Sequence, residues 1–176
     1  MAEELGQAAA PATYEYAAIR ADRDLESLYR DTYVNFGWTV EGYGQALPST
    51  GMVNLKLKRP RHLKNRPEVV QLQRKAEQAL AEIAALEKSK TTSAFTTSVG
   101  IGIVGCAFLA GSVFAIEAGR WGLSIPLGGI GLIGWLAGYL VFGRIRASRT
   151  ATVTPQIDHQ YDIVYEASEE AAHLLA

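Results

Sequence analysis

Two uncharged apolar runs constrain this chain more than any other feature. Residues 94–116 and residues 121–143 are each 23 residues long and contain no Asp, Glu, Lys, Arg or His. A bilayer core about 30 Å thick is crossed by about 20 helical residues, so each run is long enough to span it. A soluble protein would have to bury such a pair of helices, and 176 residues leave too little other chain to cover them. The sequence therefore predicts two transmembrane helices joined by a short loop at residues 117–120.

The cations beside these runs predict the orientation. Seven Lys and Arg residues lie within about 20 residues of the outer ends of the two runs, whereas the connecting loop holds only Arg120. The positive-inside rule then places both termini in the cytoplasm. The acidic start of the chain, followed by no early apolar run, predicts no cleavable signal peptide.

Small residues inside the runs predict close helix packing. In the first run they recur at spacing four, and in the second they form a GxxxG pair, which lets helix backbones approach closely in lipid. The residues concerned are Ser98, Gly102, Cys106, Ala110, Gly134 and Gly138. Packing within the hairpin is one interpretation, and a homo-oligomer that uses one of the two small-residue faces is the other. No ionisable group lies in either run, which disfavours a pore.

Heptad patterns flank the apolar runs. In residues 67–93 the seam is Leu72, Ala76, Ala79 and Ile83, and in residues 155–175 it is Ile157, Tyr161 and Val164. A hairpin turn near residue 118 would bring the seams together, with Leu72 beside Tyr165. We therefore expect an antiparallel coiled-coil stalk continuous with the membrane hairpin, an amphipathic helix on the membrane surface being the alternative. Residues 150–155 should interrupt the return helix, because they contain β-branched residues and Pro155.

The residues before the stalk alternate in a way that predicts a small domain. Residues 1–12 are typical of a flexible tail. Residues 13–61 then show a strand, a helix capped by Asp22 and ending at Gly37, and two further strands around a turn at residues 48–51. This is a β-α-β-β unit, so the fold class is an α+β membrane protein. We expect its aromatic residues to form a core, with a ligand cage as the alternative.

Three motifs in this domain carry a family resemblance. They are Tyr14-Glu15-Tyr16, the run from Phe36-Gly37-Trp38 to Glu41, and the closing strand that ends in Lys58-Arg59-Pro60. Residues 13–60 resemble a small bacterial family of domains of unknown function, which opens with Tyr-Glu-Tyr, has a central Gly-Trp-Glu-Leu and closes with a Lys-Arg strand. The whole chain resembles uncharacterised bacterial two-span membrane proteins. The resemblance implies a β-α-β-β fold and a place in a bacterial inner (plasma) membrane, and it implies no activity.

Sites for chemistry are not evident in the sequence. The three histidines, at positions 62, 159 and 173, and the single cysteine, Cys106, do not have the spacing of metal ligands. There is no phosphate-binding loop with a lysine, and no serine with a matched histidine and acid. We therefore expect no catalytic residue, no cofactor, no metal site and no enzymatic activity.

A cationic cluster is the strongest candidate for a contact surface. Six cations fall within eleven residues that contain no acid: Lys56, Lys58, Arg59, Arg61, Lys64 and Arg66. We call these residues the basic cluster. One interpretation is a solvated edge that pairs with Glu166, Glu169 and Glu170. The others are an acidic protein partner, anionic lipid and nucleic acid, the last being disfavoured because the cluster contains no aromatic residue.

These patterns predict a role based on contact. We expect a tether, scaffold or regulatory accessory subunit with its working surface in the cytoplasm, assembled as a homo-oligomer in the lipid bilayer. The alternative is an oligomeric channel or transport subunit built from the glycine-rich hairpins. A third hypothesis is the organisation of anionic lipid by the basic cluster.

Overall fold

The computed structural model describes residues 13–44 and 51–176 and shows an α+β chain. The elements are β1 (Tyr14–Asp22), α1 (Glu26–Asn35), β2 (Thr39–Tyr43), β3 (Met52–Pro60), α2 (Arg66–Glu117) and α3 (Trp121–Leu175). The contacts divide the chain into two units. The head unit contains the described residues of Met1–Ala84 together with His159–Ala176, and the hairpin unit is Ala85–Asp158. The expected tail, and the expected turn apart from Gly51, lie outside the described residues.

The sheet has β3 at its centre, in the order β1-β3-β2, and both pairings are antiparallel. β1 pairs with β3 without a register shift, from Tyr14 opposite Pro60 to Asp22 opposite Met52. Alternation along β3 places Leu55 and Leu57 on a buried face and Lys56 on an exposed one. β2 is shorter and carries an irregularity between Val40 and Gly42.

The segment that joins β1 to α1 differs in detail from the expected helix start. Asp22 precedes a short 3-10 turn, Arg23–Leu25, and its side chain makes no capping hydrogen bond. α1 therefore begins at Glu26. At its other end the chain turns at Gly37, whose φ of +81° is a left-handed conformation that glycine adopts without steric cost. This turn brings Phe36 and Trp38, on either side of it, into the core.

The core of the head unit lies between one face of the sheet and the helices α1, α2 and α3. Its buried members are Tyr33, Phe36, Trp38, Leu55, Leu57, Val69, Ala76, Ala167 and Ala171. Alanine at three helical positions lets the long helices approach the large aromatic side chains. Tyr14 and Tyr16 are 42% and 68% exposed, so the expectation that they belong to a core is wrong. Both lie on the opposite face of β1 from Ala17 and Ile19, which pack against the core.

The two long helices run without a break, and the expected interruption at residues 150–155 is wrong. α3 continues through Pro155 to Leu175. Val153 and Ile157 are buried on either side of the proline, and this packing outweighs the lost backbone hydrogen bond. The hydroxyls of Thr150 and Thr154 donate to carbonyls one turn back, at 2.9 and 2.8 Å, so these β-branched residues are accommodated in the helix.

The hairpin unit carries the apolar parts of α2 and α3. Each helix contains an 18-residue window apolar enough and long enough to cross a membrane, with mean hydropathy of 2.3 in α2 and 1.8 in α3. Only 11% of each window is buried. The helices pack on each other along one face, and most of the remaining apolar surface is exposed.

Candidate functional site

The six residues of the basic cluster do not form one surface. Lys56 is exposed on the outer face of the sheet, and Lys58 lies beside it on the same face. Arg59 lies on the opposite face and is only 3% exposed. The expectation of Arg59 as a contact residue is therefore wrong, because the strand alternation that exposes Lys56 and Lys58 turns its neighbour into the core.

Arg59 is the centre of a buried polar network. Its Nε donates a hydrogen bond to Oε2 of Glu15 at 3.2 Å, and its Nη1 donates to Oε1 of Gln73 at 2.9 Å. The guanidinium also lies 4.3 Å from the centre of the Trp38 ring, a cation–π distance. Glu15, Trp38 and Arg59 each come from one of the three motifs that carry the family resemblance. These motifs therefore meet at one point in the fold.

The network continues along α2. Gln73 accepts a second hydrogen bond, from Nε1 of Trp38 at 3.2 Å, and donates through Nε2 to Oε1 of Glu77 at 2.7 Å. The same oxygen of Glu77 accepts from the hydroxyl of Tyr33 at 2.9 Å. One face of α2 is therefore joined by directional bonds to β1, to α1 and to β3.

The charges of this network determine its protonation states. Burial alone would raise the pKa of Glu15, but the hydrogen bond and charge of Arg59, together with Arg66, bring it below the ordinary value of 4.5. Burial raises the pKa of the Tyr33 hydroxyl, and the hydrogen bond to Glu77 raises it further. Glu15 is therefore ionised and Tyr33 is a neutral donor at pH 7. The arrangement neutralises its charges internally and holds the head together.

The remaining cations of the basic cluster also have contacts within the head unit. Nη2 of Arg66 lies 3.2 Å from Glu15, and Nζ of Lys64 donates to the backbone oxygen of Ala176 at 3.2 Å. Arg61 is exposed. The expected pairing of the cluster with Glu166, Glu169 and Glu170 is wrong, since the cluster's carboxylate partners are Glu15 and, for Lys58, Glu41 at 2.6 Å. Glu166 lies instead 3.9 Å from Lys75, which follows the cluster in the sequence. The register of α3 against α2 therefore brings Glu166 to α2 beyond the end of the cluster.

The outer face of the sheet combines aromatic and basic side chains. Tyr16 lies directly opposite Lys58 in the β1–β3 register, and Nζ of Lys58 is 5.6 Å from the centre of the Tyr14 ring. The hydrogen bond to Glu41 raises the pKa of Lys58. The sequence showed no aromatic residue within the basic cluster, but the sheet supplies two from a strand about 40 residues away. Alternation along β1 and β3, read together with their pairing, was the signal that could have found this face.

The predicted seam residues of the stalk are mostly buried. Full burial is found for Ala76, Ala79, Ile83, Ile157 and Val164. Leu72 and Tyr161 are half-buried, and Leu72 packs against the core of the head unit. Tyr165, expected beside Leu72, is 60% exposed. Leu72 and Ala76 of the α2 seam are thus part of the head core, where they share a cluster with Leu55 and Leu57 of the sheet. The heptad pattern alone had predicted only a contact between two helices.

The predicted helix-packing residues fall into two groups. A Cβ on Gly134 would lie 3.4 Å from Cα of Gly105, and one on Gly138 would lie 3.4 Å from the carbonyl oxygen of Ser98, so both glycines are at the helix contact. A Cβ on Gly102 would meet nothing within 4 Å. Cys106 and Ala110 are exposed. Gly102 and Cys106, with Ser98 and Gly138, line one open apolar groove of about 440 Å³.

A polar contact between the two apolar runs was missed by the sequence reasoning. The hydroxyl of Ser112 donates to the carbonyl oxygen of Ser124 at 2.8 Å and lies 3.0 Å from the hydroxyl of Ser124. The closest backbone approach is nearby, where a Cβ on Gly131 would lie 2.9 Å from the carbonyl oxygen of Gly105. Ser112 and Ser124 lie at nearly equal distances along the chain from the middle of the loop, and this symmetry could have predicted their contact.

Metal-binding side chains do not converge in the part of the chain that the structure describes: no group of three or more His, Cys, Asp or Glu could hold an ion. Comparison with known proteins gives no further assignment, since no family model, no curated protein and no solved structure matches this chain. The resemblance of residues 13–60 to a bacterial family therefore stays a prediction. The strongest candidate for function is the outer face of the sheet.

Proposed function

We propose that this chain is a two-span membrane protein that works by protein contact through its head unit. The observation that carries the proposal is the exposed apolar surface of the hairpin unit. In windows of mean hydropathy 2.3 and 1.8, only 11% is buried, whereas the core helix of a soluble protein is mostly buried. Phe114, Ile125 and Leu136 are between 64% and 73% exposed. Lipid is the solvent that would cover such a surface.

The flanking charges support one orientation. Arg144, Arg146 and Arg149 follow the second apolar run, and the connecting loop holds only Arg120. By the positive-inside rule, both termini and the head unit are cytoplasmic. The resemblance to bacterial proteins supports a bacterial inner membrane as the location. The antiparallel stalk is part of this proposal, because the seam residues of α2 and α3 are buried along their length.

The head unit supports contact rather than catalysis. Its buried charged and polar groups, centred on Arg59, are satisfied by one another and by Glu15, Gln73 and Glu77. These groups stabilise the fold and leave no poised acid, base or nucleophile among themselves. What the head offers outside is a sheet face on which exposed tyrosines, a residue type enriched at protein interfaces, lie beside cations that can attract an acidic partner. The role is a tether, scaffold or accessory subunit that acts as a homo-oligomer or on a membrane or cytoplasmic protein.

Membrane insertion and orientation can be tested together. The full-length protein is expressed with a reporter after Ala176 that is active only outside the cytoplasm, and membranes are washed at alkaline pH. We expect the protein to stay in the pellet and the reporter to be silent. The matched control carries Leu132→Arg and Leu136→Arg near the centre of the second apolar run, each costing about 3 kcal/mol, and should be released. Release of the unmodified protein, or a reporter signal, would contradict the proposal.

The contact role needs a separate measurement. Protein solubilised in a mild detergent is analysed by size-exclusion chromatography with light scattering, and copurifying proteins are identified by mass spectrometry. We expect a defined homo-oligomer or a stoichiometric partner. A monomer without a partner at every concentration would rule out the contact role. Solute flux through liposomes that contain the pure protein would favour the channel hypothesis instead.

A further inference from the structure

The face of the sheet turned away from the core is open and carries an unbalanced charge. We call Tyr14, Tyr16, Arg20, Lys56 and Lys58 the open sheet face. These residues alternate with buried ones along β1 and β3, so their side chains share one side of the sheet. Lys58 is paired with Glu41. Among the described residues, Arg20 and Lys56 form no ion pair with a carboxylate. By the same alternation Asp22 stands at the end of this face, which reduces but does not cancel the positive charge beside the two exposed tyrosines.

A second exposed face of the head unit has the opposite charge. Asp162, Tyr165, Glu166 and Glu169 recur at helical spacing on α3, and we call them the acidic stripe. The side chains of Glu166 and Glu169 are 75% and 80% exposed, and Tyr165 is 60% exposed. Among the described residues, the basic side chains within 4.0 Å of them are Lys75, 3.9 Å from Glu166, and the His173 imidazole, 4.0 Å from Glu169. The acidic stripe is therefore a largely uncompensated negative surface with an aromatic residue at its centre.

Within the described part of one chain, these two faces lie apart. Leu57 of β3 and Ala167 of α3 belong to the same buried cluster, which places the sheet and the acidic stripe at the same level of the head unit. The open sheet face and the acidic stripe are both on the sides of their elements that point away from this cluster. Among the residues that the structure describes, none covers either face, so each is open to a second copy.

We propose that the open sheet face of one copy binds the acidic stripe of a second copy. The charges are complementary, and the two faces have similar lengths: about 10 Å from Asp162 to Glu169 and about 13 Å from Tyr16 to Arg20. This inference rests on the proposed function, because copies held in one membrane share an orientation and a level. Each copy keeps one free face of each kind, so the contact is heterologous and forms a ring where the rotation between neighbours closes.

Charge reversal and its rescue test this contact. Tyr16→Cys and Tyr165→Cys are placed in separate copies of the full-length protein in a Cys106→Ala background, and disulfide formation between copies is measured in native membranes. Reversal of Arg20 and Lys56 to Glu should lower the yield about fivefold or more, as should reversal of Glu166 and Glu169 to Lys. Mixing the two reversed copies should restore the yield. The matched control reverses Arg23 and Arg30 to Glu, which are exposed in the head unit outside both faces, and should leave the yield unchanged.

Each contrary outcome has a distinct meaning. If neither reversal lowers the yield, or if mixing does not restore it, the proposed contact is overturned even though the protein remains a membrane-bound oligomer. A protein that is washed off the membrane overturns the proposed function itself. If labelled single-stranded RNA of about 12 nucleotides binds the full-length protein, loses affinity with Tyr16→Ala, and no disulfide forms between copies, the open sheet face binds nucleic acid and the proposal is wrong.

Discussion

The head unit and the hairpin unit use the same two helices in opposite ways. In the head, α2 is joined to the rest of the unit by a large buried core and by hydrogen bonds from Arg59 of β3, Tyr33 of α1 and Trp38 of the turn between α1 and β2. In the hairpin, the helices meet at glycines, and most large apolar side chains are exposed. Burial of apolar side chains away from water stabilises the head unit. Close approach of the helix backbones is enough to stabilise the hairpin unit if lipid surrounds it. A single helix can thus follow two packing rules along its length.

Removal of the Arg59 side chain should give the largest loss of stability in the head. Arg59→Ala leaves Gln73 and Glu15 without their shared donor and removes the cation from the Trp38 ring. We expect the head to lose about 3 kcal/mol in free energy of unfolding, because the buried guanidinium makes hydrogen bonds to Glu15 and Gln73 as well as the contact with the Trp38 ring. Hydrogen–deuterium exchange of head peptides in the full-length protein would measure it, because faster exchange should be confined to the head.

The neighbouring lysine provides the control for this prediction. Lys58→Ala removes an equal charge one residue away but on the exposed face, where its ion pair with Glu41 contributes little. We expect a change within about 0.5 kcal/mol. Equal effects of the two substitutions would contradict the central position of Arg59 in the head.

Close backbone approach in the hairpin can be disturbed by a single methyl group. A Cβ on Gly131 would lie 2.9 Å from the carbonyl oxygen of Gly105, so Gly131→Ala forces the helices apart at their closest point. We expect a loss of about 2 kcal/mol, typical of overpacking, seen as a lower melting temperature in detergent. Gly129→Ala is the matched control, because a Cβ there meets nothing within 4 Å. The control should be neutral or slightly stabilising, since alanine favours helix.

A smaller effect should appear as a dependence of head stability on pH. The pKa of Glu15 is lowered in the folded chain, so its ionised form stabilises the head above the ordinary pKa of 4.5. This stabilisation should fall as the pH falls through the folded pKa, below 4.5. Head exchange measured between about pH 6 and pH 3 should therefore show a smaller pH dependence for Glu15→Gln. An unchanged slope in the variant would contradict the contribution of the Glu15–Arg59 pair.

Periodicity along the sequence predicted the parts of the fold that depend on local pattern. The two long apolar helices and the small antiparallel sheet are confirmed. The network around Arg59 was missed because its members come together from 44 residues apart, and because Arg59 stands among exposed cations. Arg59 follows Leu55 and Leu57 at every second position of β3, and this spacing was the signal that it faces the core. Pro155 misled the prediction because local propensity was weighed without the packing of Val153 and Ile157.

The hydroxyl contact between the two apolar runs should have the smallest effect. It tests whether hydrogen bonds or close backbone approach contribute more to the packing of the hairpin unit. Ser112→Ala removes the bonds to the carbonyl and hydroxyl of Ser124 while keeping a small side chain at the contact. Hydrogen bonds between transmembrane helices contribute about 0.6 kcal/mol on average, so the melting temperature in detergent should fall only slightly. Thr97→Ala is the control, because that hydroxyl bonds only within α2, to the carbonyl of Ser93. A loss from Ser112→Ala as large as that from Gly131→Ala would show that polar bonds, rather than backbone approach, hold the hairpin together.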